Sequence, residues 1–210
     1  MIKIQNGQDM DREYLHLFPV PIQMAVLELN IDSLIEFCYE MKRKDEIGEK
    51  RSNIGGWHSD SISNETHPEF VKLTNKIEDA ANIYHHKIQL KNTHHQKIDN
   101  IWAIINQKGH SNEYHIHPST CLSGTFYLRG NAPIVFQHPF RDINTYFWSE
   151  SIIEEWNEVT SGEWKIFPEP NSLLIFPPWV WHKVSMNKED IDRISFSFNT
   201  QIHETEKGNG

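Results

Sequence analysis

The chain has 210 residues, of which 38% are hydrophobic and 23% charged, a balance that supports one large domain with a buried core and excludes disordered, collagen-like and low-complexity classes. The formal net charge of −9 disfavours duplex nucleic acid as a partner, because phosphate backbones are bound through Lys and Arg. Apolar runs such as Leu173–Val180 are too short to span a bilayer, and no apolar stretch follows Lys3 to make a signal peptide.

The N-terminal third reads as one extended segment followed by helices. Residues 14–28 are apolar but interrupted by Pro19 and Pro21, which suits an edge-type entry strand. Ile31, Leu34, Ile35, Cys38 and Met41 recur at helical spacing behind a capping Asn30 or Asp32, predicting a helix over 31–44. The mixed charges of 41–51 read as a solvated helix end rather than a basic patch. Residues 52–66 read as a loop, and Gly55-Gly56 before Trp57 suggests that it can approach the mouth of a barrel. A second helix is expected over 68–90, opened by Pro68 and striped by Phe70, Leu73, Ile77, Ala80, Tyr84 and Ile88. His85-His86 and His94-His95, at its end and beyond, are expected to be exposed, since helix neighbours do not share a face.

From Ile101 onward short β-rich segments alternate with turn residues. Strands are expected at 101–106, 114–117, 122–128, 134–136, 163–167, 172–176, 181–184 and 193–199. Eight short strands in about 100 residues suggest a sandwich or barrel of jelly-roll type. The long aromatic and acidic stretch 138–162 is expected to be a lid. The polar residues 204–210 read as a flexible tail, leaving one domain over 1–203. Helical support spans about 30–90 of it and a β core about 101–200.

Only two cysteines are present, Cys38 and Cys121, which excludes a disulfide framework or a four-thiolate zinc site and fits a reducing cytoplasm. The 13 histidines raise the expectation of a metal site, which position must decide. In Asn112-Glu-Tyr-His115-Ile-His117-Pro, residues two apart on a strand share a face, so His115 and His117 can grip one ion; an exposed pair before a proline turn is the alternative. His182 follows Phe176-Pro-Pro-Trp-Val-Trp and is either a ligand or a core imidazole bonded to a carbonyl. Along Arg193-Ile-Ser-Phe-Ser-Phe-Asn199, alternation separates Ile194, Phe196 and Phe198 from Arg193, Ser195, Ser197 and Asn199. The polar set meets solvent in an ordinary strand; facing a barrel interior, Arg193 would require an anionic partner such as a ligand carboxylate.

Taken together, His-x-His, a third histidine 65 residues later and Arg-x-Ser beyond it resemble the Fe(II)- and 2-oxoglutarate-dependent oxygenases. Leu17-Phe-Pro-Val-Pro21, Asn53-Ile-Gly-Gly-Trp57-His-Ser59, Trp102-Ala-Ile-Ile-Asn106, His115-x-His117-Pro…Ser123-Gly-x-Phe-Tyr127-Leu, Phe176-Pro-Pro-Trp-x-x-His182 and Arg193-Ile-Ser-Phe-Ser-Phe-Asn199 narrow the resemblance. They resemble the 2-oxoglutarate–Fe(II) oxygenase family of marine phages and bacteria over about residues 15–200. The resemblance implies a mainly β (α+β) fold: a double-stranded β-helix of the jelly-roll, cupin-like kind, with the N-terminal helices packed on one face. It implies iron(II), 2-oxoglutarate and O2 as cofactor and co-substrates, with hydroxylation of an unidentified small-molecule or peptide substrate and release of succinate and CO2.

Residue by residue, the resemblance implies that His115 and His182 ligate iron and that His117 occupies the position of the usual carboxylate ligand. Arg193 would hold the distal carboxylate of 2-oxoglutarate, with Ser195 and Tyr127 assisting and Asn106 and Asn199 nearby. Glu113, two residues before His115, is the alternative third ligand. Trp57, Trp148, Trp156 and Trp181 are candidate cavity aromatics, at least half of them expected to be core or surface residues instead. Two other functions compete: a three-histidine metal cupin that does not use 2-oxoglutarate, and a non-catalytic β-sandwich with structural histidines. No membrane partner is expected, and a homodimer is left open.

Overall fold

The computed structural model describes residues 17–63 and 66–205. Two antiparallel sheets and three helices make up the fold. The strands are β1 (Gln23–Val26), β2 (Asn53–Ile54), β3 (Trp57–His58), β4 (His94–Asn106), β5 (Ser111–His115), β6 (Leu122–Arg129), β7 (Ile134–Gln137), β8 (Glu163–Ile166), β9 (Ser172–Phe176), β10 (His182–Val184) and β11 (Arg193–Glu204). The helices are α1 (Ile31–Lys44), α2 (Pro68–Lys87) and α3 (Arg141–Phe147). Six strands form one sheet in the order β1-β9-β6-β11-β4-β3, and five form the other in the order β2-β5-β10-β7-β8. This is the expected double-stranded β-helix. No helix among the described residues is long and apolar enough to cross a membrane.

Alternation along the larger sheet explains its layers. Ile101, Ala103 and Ile105 of β4, Phe126 and Leu128 of β6, and Ile194, Phe196 and Phe198 of β11 turn outward and are buried. Leu34, Phe37 and Cys38 of α1 and Leu73, Ile77 and Ala81 of α2 cover them, so both helices pack on this one face. Each fully buried Leu, Ile or Phe stabilises by about 1.5–3 kcal/mol, which makes this layer the main source of stability. The residues of opposite parity point between the sheets, where Tyr127, Ile134, Phe136, Leu174 and Phe176 form a smaller apolar cluster. The helix starts follow their caps: the Asn30 side chain accepts from the Ser33 N–H at 3.3 Å, and Pro68 opens α2.

Several boundaries differ from expectation. The entry strand shrinks to β1, an edge strand paired with β9 with Met24 and Val26 exposed; residues 14–16 lie outside the described residues. The expected loop 52–66 holds β2 and β3, two-residue strands too short to show a period. β4 starts at His94 rather than 101, because β11 continues to Glu204 and pairs with it along its length, with one bulge at Asp99. The first two residues of the expected tail are held instead: Glu204 is in the ladder and the Thr205 N–H donates to Thr93 O at 2.8 Å. The rest of it, 206–210, lies outside the described residues.

His85 is buried, contrary to expectation. Its Nε2–H donates to the Lys91 carbonyl at 3.0 Å, and its Nδ1 accepts from Gln96 Nε2 at 3.1 Å. The chain turns back at 88–93 and lays β4 over the end of α2, closing that face. His86 is exposed, while His94 and His95 are half-buried in the strand.

The passage between sheets at Gly55-Gly56 has no room for a side chain. Gly55 has φ +82°, and a Cβ on Gly56 would lie 1.9 Å from Asn106 Oδ1. Asn106 cannot swing away freely, since its Nδ2 donates to Asn112 Oδ1 at 3.0 Å. Gly56→Ala is expected to destabilise by roughly 1–3 kcal/mol, seen as a lowered melting temperature.

Candidate metal centre

The register of β5 and β10 builds the site. His182 faces His115 and Val184 faces Asn112, so Glu113 and Tyr114 together oppose Lys183. This β-bulge turns both Asn112 and His115 inward, where they line the central cavity, and leaves Glu113 exposed. The expectation that Glu113 shares the face of His115 therefore fails, because simple alternation is broken between them. The Glu113 carboxylate is not among the clustered groups. Its backbone carbonyl is used instead, accepting from His115 Nδ1–H at 2.7 Å. His117 lies just beyond β5 and is fixed by its N–H, which donates to Pro178 O at 2.9 Å.

His115, His117 and His182 come together. Their ring centroids are 4.4 to 5.1 Å apart, and one nitrogen from each lies within 4.8 Å of the others. Among the described residues this is the only such cluster of three or more His, Cys, Asp or Glu. Each Nδ1 meets an oxygen that can only accept: Glu113 O, Asn199 Oδ1 at 2.6 Å and Val180 O at 2.8 Å. Each Nδ1 is therefore protonated, and all three Nε2 lone pairs remain available, the tautomer a metal site requires.

Burial keeps these rings neutral. It pushes His117 down to about 4 and His182 down to about 3, mutual repulsion among the histidines adding to both, and it lowers His115 as well. Unfolded, each would titrate near 6.5, so protons bind the unfolded chain first as pH falls below that value. Stability of the metal-free protein is thus full above about pH 6.5 and lost on acidification toward pH 4. Each buried ring contributes up to ~1.4 kcal/mol per pH unit in that window. Denaturant melts between pH 7.5 and 5 should show this slope, and His117→Gln should flatten it.

Arg193 lies between the sheets. It is fully buried at 1% exposure. Its Nε–H donates to Ala132 O at 3.0 Å, its Nη1–H donates to Ser195 Oγ at 3.2 Å, and the guanidinium lies 5.0 Å over the Tyr127 ring. Burial lowers its pKa, with Tyr127 acting in the opposite sense. Among the described residues Arg193 has no carboxylate within ion-pair distance. Arg193, Ser195, Thr125 and the three histidines line one cavity of about 610 Å³. A buried guanidinium without a counter-charge is costly, so a carboxylate-bearing ligand fits there, and three neutral imidazoles fit a divalent first-row metal.

The other expected residues are placed differently. Tyr127 is buried behind Arg193, does not line the cavity, and its hydroxyl makes no hydrogen bond of normal geometry with described residues. Asn106 does not reach the cavity either; Asn112, to which it is bonded, does. Asn199 stands beside His117, and its Oδ1 also accepts from Ser123 Oγ at 2.7 Å while its Nδ2–H donates to Asn100 Oδ1 at 2.8 Å. None of the four flagged tryptophans lines the cavity. Trp57 is buried with Nε1–H donating to Asp45 O at 2.7 Å, and Trp148, Trp156 and Trp181 are exposed. Residues 138–162, expected as a lid, form α3 and one 3₁₀ turn at Glu150–Ile152 and contribute nothing to the cavity wall. His58 and Trp102 line it instead. The parity of β4 marks Trp102, because Asn100, Trp102 and Ile104 alternate with the helix-facing Ile101, Ala103 and Ile105.

Comparison with known proteins agrees with this geometry. Residues 100–199 match the family model described as "Putative 2OG-Fe(II) oxygenase". No curated protein sequence matches the chain at a significant level. The fold is similar to a prolyl-4-hydroxylase of Pseudomonas putida, at 12% identity and TM-score 0.57 over 86% of this chain and 91% of that one. It is similar to a Trichoplax adhaerens prolyl hydroxylase in complex with a hypoxia inducible factor oxygen degradation domain peptide, at 13% identity and TM-score 0.59 over 86% and 83%. It is also similar to HygX of Streptomyces hygroscopicus with nickel and 2-oxoglutarate bound, at 10% identity and TM-score 0.56 over 87% and 83%. His115, His117, His182, Arg193 and Ser195 all lie inside the region that matches this family model, and members of that family use iron(II), 2-oxoglutarate and O2.

Proposed function

We propose that this protein is a 2-oxoglutarate-dependent hydroxylase in which His115, His117 and His182 hold iron(II) and Arg193 with Ser195 holds the distal carboxylate of 2-oxoglutarate. One observation carries the reading: a ring nitrogen from each of three histidines converges in the same cavity as a fully buried arginine that has no carboxylate partner among the described residues. Iron(II) with 2-oxoglutarate and O2 supplies the oxidising chemistry, giving succinate, CO2 and a hydroxylated product. The protein's own contribution is placement. Arg193 is held by Ala132 O and Ser195, so its free edge presents a fixed fork to a carboxylate. We place Tyr127 in support of Arg193, and Asn106 in support of Asn112, rather than in contact with the co-substrate. The substrate is a small molecule or a peptide rather than duplex nucleic acid, given the net charge of −9. The whole is read as one domain over 1–203 working in the cytoplasm, where Cys38 and Cys121 stay unpaired.

The test is an anaerobic titration of metal-stripped protein with iron(II) and then 2-oxoglutarate, followed by visible absorption. A charge-transfer band that needs both components is expected. Iron binding without that band would point instead to a three-histidine centre that does not take 2-oxoglutarate. No iron binding would make the histidines structural.

The ligand set has a supporting layer that can be tested separately. Asn199 fixes the tautomer and tilt of His117 through its Oδ1 and is itself pinned by Ser123 and Asn100. Asn199→Ala is expected to weaken metal binding by roughly 10–100-fold, measured by calorimetry with zinc(II). Ring ¹⁵N shifts of the metal-free variant should show His117 losing its single Nδ1–H tautomer.

A further inference from the structure

The cavity has a second wall that the proposed metal and 2-oxoglutarate roles leave unused. It is built from the end of β3 and the bulged start of the inner face of β4. His58 is buried, at 9% exposure, and lines the cavity. Its Nδ1–H donates to Ser59 O at 2.7 Å, so Nε2 carries the lone pair, and no described residue donates to it. One face of the ring stacks on Trp102 at 5.4 Å and 15°, which locks its plane. Trp102 continues the wall to His117, with ring centroids 5.9 Å apart.

Two carboxylates stand on the same cavity wall. Asp60 follows His58 by two residues, and its Oδ1 accepts from the Ser61 N–H at 2.6 Å. Asp99 is the extra residue of a bulge: Asn199 faces Asn100 while Thr200 faces Ile98. Neither has a Lys or Arg within ion-pair distance among the described residues, whereas the nearby Glu49 is paired with Arg51 at 3.6 Å. Arg51 lines the cavity too, with its charge met by Glu49, and Asp99 Oδ2 accepts from Asn100 Nδ2 at 3.1 Å, a neutral donor. The balance of the wall is therefore a buried acceptor and two carboxylates without a basic partner, which favours a cation with N–H donors over an anion.

We propose that this wall is the substrate subsite and that it takes a cationic group, an ammonium or guanidinium. The group donates to His58 Nε2 and is held by Asp60 and Asp99, with the attached carbon chain running along Trp102 toward the histidine cluster. This assignment rests on the proposed function, since it makes the opposite side of the cavity the seat of metal and 2-oxoglutarate.

The experiment uses full-length protein loaded with zinc(II) and 2-oxoglutarate, which is unreactive, and three probes of one design: the N-acetyl methylamides of lysine, norleucine and glutamate. Free 1,5-diaminopentane is a fourth probe, and its strength relative to capped lysine separates a free amine from a peptide side chain as the source. Binding is read by ligand-observed NMR. The lysine or diamine probe is expected to bind at least roughly tenfold more tightly than norleucine, with glutamate weakest. The preference should collapse in the doubly substituted Asp60→Asn, Asp99→Asn protein and in His58→Phe. Both aspartates are exposed, so the double variant tests the idea even if His58→Phe folds poorly. Equal binding of neutral or anionic probes, no binding of any cation, or a preference that survives the double substitution overturns the subsite. Calorimetry on the same wild-type sample keeps the two proposals apart. Normal 2-oxoglutarate binding without cation preference removes only the subsite; cation preference without 2-oxoglutarate binding removes only the proposed function.

Discussion

Alanine at His182 is expected to abolish iron(II) binding at micromolar metal and to lower 2-oxoglutarate decarboxylation on the order of 10³-fold. His182 is the most buried of the three histidines, and its Nδ1–H is held by Val180 O in the turn that follows Pro177-Pro178. It packs against Phe136 and Phe176, at centroid distances of 6.0 and 4.7 Å, so the ring cannot be replaced by movement of a neighbour. His115 and His117 alone leave a two-nitrogen site, which first-row metals hold weakly. Near-ultraviolet circular dichroism of the metal-free variant separates a lost ligand from a lost fold. Retention of the iron–2-oxoglutarate absorption band in His182→Ala would remove His182 from the ligand set.

Arg193→Ala is expected to keep metal affinity within about threefold and to raise the dissociation constant for 2-oxoglutarate by roughly 10²–10³-fold. The size follows from burial, because a charge pair closed off from water is far stronger than one on the surface. The guanidinium stays in place without ligand because Ala132 O, Ser195 Oγ and the Tyr127 ring support it. Arg193→Lys should recover only part of the affinity, since an ammonium keeps the charge and loses the planar fork. Calorimetry with 2-oxoglutarate on the zinc-loaded variants gives the number directly. Turnover surviving the alanine change at unaltered KM would place the co-substrate elsewhere.

Much of the fold was legible because its periods are clean. The 3.6-residue stripe gave α1 at its observed bounds and α2 within three residues, and the two-residue alternation of β11 separated Arg193 and Ser195 from the helix-facing phenylalanines. Legibility failed where a period is interrupted or too short. The bulge at Glu113-Tyr114 reversed the face of Glu113, β2 and β3 have two residues each, and the polar half of β4 has no apolar alternation to mark it. The tryptophans misled because aromatic side chains serve core, surface and cavity alike, and only the parity of Trp102 on β4 identifies the one that reaches the site.

The sequence by itself determined the order of the elements, the two amphipathic helices, and the set His115, His117, His182 and Arg193 with its resemblance to the oxygenase family. Local periodicity and spacing are properties of the chain, and they survive without knowledge of what packs where. The tertiary structure alone decided that His117, and not the Glu113 carboxylate, lies together with His115 and His182, that Asn199 reaches back across 82 residues to hold His117, and that His58, Asp60 and Asp99 share one wall. Those relations arise from strand register and bulges between segments distant in sequence. One residue of slip there turns a side chain from the cavity to solvent, and no local pattern records it.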